Sequence, residues 1–248
     1  MNNETALSAE HDEEAIRQRV GKKRQTYLGD AVLGGIDGSV TTFAIIAGSM
    51  GGGFPVAVII VLGLANLLAD GFSMAASNFL RAKSDREEVE SARESEESHI
   101  RMIPRGEKQE IRQIFANKGF KGEILEKVVE GITSDKNLWI DTMLTEELGL
   151  QLEGHHPIRS GATTFCAFIM VGLIPLFPFL IFPGSAIQFQ FLVSSVVTGL
   201  AFLAIGVVKG SILRKPKLRS GIFTLLIGGA AALLAFTTGY AVRVLYGI

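Results

Sequence analysis

The sequence contains a single cysteine, Cys166, in 248 residues. One thiol excludes an intrachain disulfide and any metal cluster that is built from several cysteines. The net charge is only −1 at pH 7, so the chain lacks the basic surplus with which proteins neutralise nucleic-acid phosphates. The first 25 residues lack an apolar core segment and therefore do not have the pattern of a secretory signal. We expect neither a disulfide-stabilised domain nor a nucleic-acid-binding protein.

Charge is absent from three long segments, because residues 161–182, 184–208 and 220–242 contain no Asp, Glu, Lys or Arg. Each segment is long enough to cross a hydrocarbon core of about 30 Å at about 1.5 Å per residue. Two further apolar segments precede them, separated by a turn rich in glycine and proline. The sequence therefore predicts an all-α integral membrane protein with five transmembrane helices, at about 30–49, 56–80, 160–182, 187–209 and 220–245.

Basic residues predict the orientation in the membrane. Lys and Arg are concentrated just before the first span and in the loop 209–219, whereas the turns 48–55 and 181–188 have none. Short loops rich in Lys and Arg remain in the cytoplasm, so we expect a cytoplasmic N-terminus. The segment between the second and third spans then lies on the cytoplasmic side as well, and the C-terminus lies outside.

Residues 81–157 separate the second predicted span from the third, and we call this segment the insert. It contains 12 Lys/Arg and 17 Asp/Glu, a net charge of −5, without the alternation typical of strands. Helix-forming residues continue from the second span to Ile103, and Pro104 then interrupts them. Apolar residues at helical spacing predict three further helices, within residues 107–120, 122–132 and 137–150.

Two prolines in the third predicted span, Pro175 and Pro178, should kink that helix or end it early. The chain as a whole divides into four parts. These are a cytoplasmic tail (1–26), the first two spans (27–80), the cytoplasmic helical insert (81–157) and the last three spans (158–248).

Two carboxylates lie in the first span. Asp30 and Asp37 are seven residues apart, so they share one helix face about 10 Å apart along the axis. Charged residues within spans usually mark the path of an ion or a proton. Asp30 has a simpler alternative as a helix cap in the membrane interface. For Asp37 the simpler alternative is a buried acid in its neutral form, or an acid whose side chain extends towards the membrane interface.

The second span has a polar stripe, because Asn66, Asp70, Ser73 and Ser77 fall on one helix face. Met74 flanks this stripe. A carboxylate with a thioether is a mixed hard and soft ligand set, which suits a transition metal better than Ca²⁺ or Mg²⁺. The alternative for a methionine in a membrane helix is plain core packing.

The insert contains further side chains of the kind that bind metal, at helical spacing on its predicted helices: Glu96 and His99, Glu107 and Glu110, and Met143 and Glu147. Carboxylates with an imidazole are suitable ligands for Fe²⁺, Mn²⁺ or Zn²⁺. The alternative is a solvated charged helix face. His155 and His156, just before Pro157, are expected at the membrane interface.

Several segments, taken in order, resemble the vacuolar iron transporter family: "DAVLGGIDGSVTTFAIIAG", "LANLLADGFSMAASNFLRAKSDRE", "IPRGEKQEIRQIFANKGF" and "LWIDTMLTEELGL". The resemblance covers nearly the whole chain from Tyr27 onward. It implies a homodimer with five spans per subunit, which is not an enzyme and has no permanent cofactor. Such a protein moves Fe²⁺, and often Mn²⁺, out of the cytosol in exchange for protons.

The resemblance also implies roles for particular residues. The path for the ion would lie between the two subunits, along their first and second spans. Asp37 would be the aspartate of this path, with Asp30 nearer its cytoplasmic mouth and Met74 as the thioether partner. Metal would be collected by side chains of the insert: Glu96, Glu107, Glu110, Met143 and Glu147.

This chain departs from the family pattern at three positions. His99 stands where the pattern has a glutamate, and we expect it to change metal preference rather than to remove the site. Leu144 stands where the pattern has a second methionine, so the soft part of the ligand set is smaller. Leu67 stands where some relatives have a carboxylate in the second span, and Asp70 is a candidate substitute for it.

Two glycine pairs, Gly34 with Gly38 and Gly206 with Gly210, permit close helix approach. Since five spans are few to enclose a path, we expect a two-fold dimer in which the first spans face each other. No organelle address is visible, so the expected location is the cell membrane in a prokaryote and an organelle membrane otherwise.

Two functions other than transport are also consistent with the sequence. The insert could be a membrane-anchored module that binds or oxidises iron at a carboxylate-bridged di-iron centre. Such a centre usually takes two Glu-x-x-His pairs, and this chain has one, Glu96 with His99. The protein could also be a metal sensor without transport.

Overall fold

Eight helices lie in the part of the chain that the computed structural model describes, which is Ile16 and residues 26–247. In chain order they are α1 (Leu28–Gly52), α2 (Val56–Met102), α3 (Pro104–Asn117), α4 (Gly122–Thr133), α5 (Lys136–Glu146), α6 (Pro157–Ile181), α7 (Ile187–Ile212) and α8 (Lys217–Tyr246). No strand occurs within these residues, which confirms the all-α prediction. Almost all of the predicted tail, residues 1–26, lies outside them.

Five of the helices, α1, α2, α6, α7 and α8, are long and apolar enough to cross a membrane. This number confirms the prediction of five spans, with helix ends that differ by a few residues. The helix α2 has 47 residues, so it is about 70 Å long. That is more than twice the hydrocarbon thickness, so α2 is too long for a single span, and its second half consists of residues of the predicted insert.

The third span contains both of its prolines inside one helix. Pro175 and Pro178 are buried, and α6 continues past them to Ile181, so the predicted early end of this span is wrong. The hydroxyl of Ser194 on α7 donates a hydrogen bond to the carbonyl of Pro175 at 2.7 Å. Prolines are tolerated in membrane helices where neighbouring helices stabilise the surrounding backbone.

Helix α1 lies at the centre of the bundle and packs mainly against α6 and α8. Its glycines make this possible, because a Cβ atom on Gly34 would lie 2.5 Å from the carbonyl oxygen of Thr164 on α6. A Cβ atom on Gly38 would likewise collide with the carbonyl oxygen of Phe168. The expectation that this glycine pair brings two subunits together is therefore corrected, since the close approach is to α6 of the same chain.

The second glycine pair is also used within the chain. A Cβ atom on Gly206 would lie 2.6 Å from the Cα atom of Gly221 on α8, and one on Gly210 would lie 3.1 Å from the Cα atom of Lys217. Small residues at such positions let helix backbones approach closely. Both pairs thus pack helices of one subunit, and the expected dimer has to be argued from other features.

The described residues form three hydrophobic clusters, one in the insert and two among the spans. The smaller cluster of the spans joins α1, α7 and α8 through Phe43, Ala47, Phe202 and Ala232. The larger one, the membrane core, joins α1, α2 and α6 through six buried side chains: Ile46, Ile59, Leu67, Phe168, Leu176 and Phe179. The insert has a core of its own between α3, α4 and α5, formed by Ile111, Leu125, Val129, Trp139 and Met143. The far end of α2 contacts α3 and α5, so this long helix connects the membrane core with the core of the insert.

Candidate metal sites

The insert brings three of the predicted ligands together. Glu96 on α2 and Glu107 on α3 are both buried, with 6% and 2% of their surface exposed. The Nδ1 atom of His99 lies 3.7 Å from Oε1 of Glu96 and 3.8 Å from Oε1 of Glu107. One ligand atom from each residue fits within 4.8 Å of the others. Two carboxylates and an imidazole can supply three of the ligands of an Fe²⁺, Mn²⁺ or Zn²⁺ ion.

The break between α2 and α3 creates this arrangement. Helix α2 ends at Met102, and Pro104 begins α3 in its first turn, where a proline is favourable because no N–H is needed. The chain turns back here, so that α3 faces the end of α2. Glu107 precedes Ile111 by one helical turn, and both are the buried residues of α3. Because Ile111 packs into the core of the insert, the Glu107 carboxylate on the same helix face is buried as well.

The buried carboxylates are not satisfied by protein donors. Oε2 of Glu96 and Oε2 of Glu107 are both enclosed and have no hydrogen-bond partner. Buried polar atoms are nearly always paired, since an unpaired one loses its hydration without compensation. A cation between the two side chains would supply the missing partner to both oxygens.

The charges of this cluster raise the pKa of Glu107 to about 7. Burial is the main cause, repulsion from Glu110, Glu96 and Glu147 adds to it, and His99 opposes it. The pKa of Glu147 is raised as well, first by burial and then by Glu110 and Glu96. Glu110 and Glu147 are exposed, yet they lie close enough to influence the cluster. Like charges held together in this way favour a divalent cation.

The methionine of the predicted ligand set lies on the neighbouring helix. Met143 is fully buried in the core of the insert beside Ile111 and Trp139, and Leu144 is fully buried too. Helix α5, which carries them, is capped by Asp135, whose carboxylate accepts from the backbone N–H groups of Asn137 and Leu138. Met143 is therefore a core residue of the insert, and binding metal would be a second role for it.

In the membrane, Asp37 of α1 and Asp70 of α2 each lie one helical turn from a hydrogen bond that joins the two spans. Asn66 connects the same two helices, since its Nδ2 atom donates to Oγ1 of Thr41 at 3.4 Å. Thr41 in turn donates to the carbonyl of Asp37 at 2.9 Å. The aspartates predicted for the two spans therefore share one region of the bundle.

The polar stripe of the second span faces outward in the single chain. Asp70, Ser73 and Ser77 are exposed, whereas Asn66 is half-buried. Met74 is half-buried and packs against the membrane core, which agrees with the simpler alternative for this residue. A carboxylate on the outer surface of an apolar helix is unfavourable in lipid, so this face requires another protein surface or water.

Asp30 lies in a network that the sequence does not reveal, where the beginnings of α1 and α6 meet the middle of α2. Its buried carboxylate accepts a hydrogen bond from the hydroxyl of Ser160 and lies 3.9 Å from Nη2 of Arg81. Asn78 donates to Oγ1 of Thr164 at 2.7 Å and accepts from Arg81 at 3.0 Å. We call these five residues the interfacial network. Asp30 is not the helix cap of the simpler alternative, because Tyr27 holds the N-cap position of α1 and no side chain caps it. Its carboxylate joins α1 to α6 and α2 instead.

The two histidines before α6, His155 and His156, both contact Tyr27. The ring of His155 lies 5.2 Å from the ring of Tyr27, and the backbone N–H of His156 donates to the hydroxyl of Tyr27 at 3.2 Å. Within residues 26–247, neither histidine belongs to a compact group of possible ligands. These contacts tie the end of the insert to the beginning of α1, close to the expected membrane interface.

The sequence has several relatives among known proteins. The model of the VIT family matches residues 28–240. A vacuolar iron transporter of Toxoplasma gondii is 29% identical over 98% of this chain and 85% of its own length. Vacuolar iron transporter 1 of Tulipa gesneriana is 31% identical over 86% of each chain. Vacuolar iron transporter 2 of Oryza sativa subsp. japonica is 32% identical over 86% of this chain and 87% of its own length. Because the family match extends over most of the sequence, the chain belongs to the VIT family.

Proposed function

We propose that this protein is a transporter that moves Fe²⁺, with Mn²⁺ as a second cargo, out of the cytosol in exchange for protons. The family membership and the names of the relatives support the choice of iron. Five membrane helices with a carboxylate-rich insert support movement of a cation across a bilayer. In this proposal the metal ion is the cargo, and no bond of a substrate is made or broken.

The observation that carries the proposal is the position of Asp37 and Asp70 on adjacent spans, each one helical turn from the hydrogen bond that joins Thr41 to Asn66. Placing a charged aspartate at the centre of a membrane helix costs roughly 2.5–3.5 kcal/mol, and two that repel each other cost more. A divalent cation between them would replace this repulsion with attraction. We therefore assign the cargo to this region, where Met74, although it packs against the membrane core, would also serve as a soft ligand.

The exposed stripe around Asp70 supports a homodimer. In the proposed assembly the stripe of one subunit faces that of a second copy, and the path lies between them. Both carboxylates and the hydroxyls of Ser73 and Ser77 would then line a polar passage instead of facing lipid. Asp30, held by Ser160 and Arg81, would stabilise the cytoplasmic end of the path rather than bind cargo along it.

Exchange with protons follows from the chemistry of carboxylates. Desolvation favours the protonated form of the acid, whereas a bound divalent cation favours the ionised form. A carboxylate in a narrow path therefore holds either a proton or the metal, and the two travel in opposite directions. The proton gradient across an acidic compartment would supply the driving force.

The insert would collect the metal before transport. Its net charge of −5 raises the local concentration of cations, and the cluster of Glu96, His99 and Glu107 would bind one. Glu110, Met143 and Glu147 complete the proposed ligand set. On the proposed orientation, α2 connects this site directly to the membrane aspartates.

The iron-oxidising alternative is less well supported. A carboxylate-bridged di-iron centre takes two ions, and residues 26–247 contain one compact group of histidine and carboxylate ligands. A metal sensor would need this cluster but would have no use for Asp37 and Asp70 inside the spans. The two aspartates in adjacent spans thus favour transport.

The proposal is tested with the purified protein in liposomes that contain an Fe²⁺-sensitive dye at acidic pH. We expect Fe²⁺ added outside to enter, and the interior to become less acidic as protons leave. Protein-free liposomes are the control. Metal binding by the protein without passage of Fe²⁺ into the liposomes would contradict transport and support the sensor.

A further inference from the structure

A basic cavity lies where α7 is joined to α8. It has a volume of about 440 Å³, and its lining includes Lys209 at the end of α7, Lys215 in the loop and Arg219 in the first turn of α8. Helix α8 begins beside it at Lys217, with Pro216 at the N-cap position and no side-chain cap. The positive end of the helix dipole therefore adds to the charge of the three side chains.

These cations have no acidic partner in the described structure. Lys209, Lys215 and Arg219 form no ion pair within residues 26–247. The sequence contains no Asp or Glu after Glu153, so neither α7 nor α8 can supply one. Three cations around one cavity repel each other unless an anion joins them. Within residues 26–247 no carboxylate pairs with these three cations, so the cavity can accept an anion.

An apolar groove opens from the same place. It has a volume of about 270 Å³ and lies between α1 and α7, lined by Leu28, Val32, Leu33 and Ile36 on one side and by Ile212 and Leu213 on the other. Lys209 and Leu213 line both the groove and the basic cavity, so the two are adjacent. An anionic end and an apolar chain of one molecule could fill them together.

The position of the two cavities indicates that such a molecule would be a lipid of the surrounding bilayer. The beginning of α1, the exit of α2 into the insert and the connection between α7 and α8 fall at one end of the bundle, because successive spans alternate in direction. The basic cavity thus lies at headgroup level, and the groove continues towards the hydrocarbon region. Basic pockets between membrane helices are known to hold the headgroups of anionic lipids.

We propose that an anionic phospholipid binds here, with its phosphate between Lys209, Lys215 and Arg219 and one acyl chain in the groove between α1 and α7. The lipid would hold α7 against α1, the helix that carries Asp37. Ile36, which lines the groove, directly precedes that aspartate. Binding of the lipid does not depend on which cation the protein transports.

The test compares lipids that differ only in the headgroup. Full-length protein is released from detergent micelles into a mass spectrometer in the presence of equal amounts of phosphatidylglycerol and phosphatidylcholine with identical acyl chains. We expect the adduct with phosphatidylglycerol to dominate by about tenfold or more, since each cation near a headgroup phosphate contributes about fivefold to binding. Equal binding of the two lipids would overturn the proposal.

Charge variants locate the site. Lys209→Gln, Lys215→Gln and Arg219→Gln should each lower the preference for phosphatidylglycerol about fivefold. The matched control is Arg214→Gln, which removes one charge from the same loop but does not line the cavity. An equal loss in Arg214→Gln and in the other three would show a general surface charge effect, which overturns the site. Each variant is first checked for an unchanged melting temperature.

A second arm distinguishes a lipid from a free anion. Inorganic phosphate, added at a hundredfold excess over phosphatidylglycerol, should not displace the lipid, because it leaves the groove empty. Displacement by phosphate would identify a soluble anion site and overturn the assignment to a lipid. The lipid competition in the wild-type protein needs no variant, so the proposal stays testable if a variant does not fold.

Discussion

Oε1 of Glu107 lies 3.8 Å from Nδ1 of His99, across the break that separates α3 from α2. Neither helix could form the cluster alone, because Glu96 and His99 come from one and Glu107 comes from the other. The break at Pro104 is therefore part of the site.

The first prediction concerns pH. Burial raises the pKa of Glu107 to about 7, well above the value of about 4.3 in an unfolded chain. Ionisation thus opposes folding, so the stability of the metal-free protein should fall as the pH rises from about 4.5 to about 7. Metal affinity should rise over the same interval, because fewer protons compete. Unfolding and Zn²⁺ titrations between pH 5 and pH 8 measure both.

Glu107→Gln is the matching variant. It should remove most of this pH dependence of stability and weaken Zn²⁺ binding roughly tenfold or more, by analogy with the loss of metal-site groups elsewhere. Glu130→Gln is the control, because Glu130 is exposed on α4 of the same insert. Unchanged Zn²⁺ affinity in a folded Glu107→Gln protein would mean that the cluster is only a charged helix face.

The second prediction concerns metal preference at His99. Its imidazole favours Fe²⁺ and Zn²⁺ over harder ions. His99→Glu should therefore shift the ratio of Mn²⁺ to Fe²⁺ affinity towards Mn²⁺ by roughly tenfold. Competitive titration under anaerobic conditions gives this ratio. The same ratio in both proteins would show that His99 does not contact the ion.

The third prediction concerns the interfacial network. Asn78 is buried and donates to both Ser160 and Thr164. Asn78→Ala leaves these groups without their partner, so it should lower the free energy of unfolding by about 1–3 kcal/mol. Ser77→Ala, at the exposed neighbouring position, should have little effect. Equal stability of the two variants in thermal or denaturant unfolding would contradict the role of the network.

The fourth prediction tests the packing of α1. A methyl group on Gly34 would lie 2.5 Å from the carbonyl oxygen of Thr164, whereas one on Gly29 would have no neighbour within 4 Å. Gly34→Ala should therefore separate α1 from α6 and lower the melting temperature, and overpacking of this kind typically costs about 1–3 kcal/mol. Gly29→Ala should be neutral. A Gly34→Ala protein that melts like the wild type would contradict this contact.

Local patterns in the sequence predicted much of the fold. Long charge-free runs marked the spans, and Pro104 marked the break that ends α2. The spacing of Glu96 and His99 was also readable, because residues three apart lie on one helix face. Both features depend on neighbours within the same helix or turn.

Contacts between distant parts of the chain could not be read in this way. Ser160 is 130 residues from Asp30, and nothing in either segment specifies the other as its partner. Gly34 carried a correct signal for close packing, but the pattern does not say which helix approaches. Pro175 and Pro178 were expected to kink the third span or to end it early. The early end was wrong because the support that α6 receives from Ser194 of α7 is a tertiary effect.

The assignment of Asp37 as the shared site for metal and protons is tested most directly by Asp37→Asn. Asparagine keeps the shape and the hydrogen bonding but cannot ionise, so the variant should fold and retain Zn²⁺ binding in the insert. Asp85→Asn, which removes an exposed carboxylate from α2 beyond the membrane, is the control. The measurement is Fe²⁺ flux and proton flux in liposomes under an imposed pH gradient. We predict that Asp37→Asn loses both fluxes while Asp85→Asn keeps them. Proton-coupled Fe²⁺ transport near the wild-type rate by a folded Asp37→Asn protein would contradict the account.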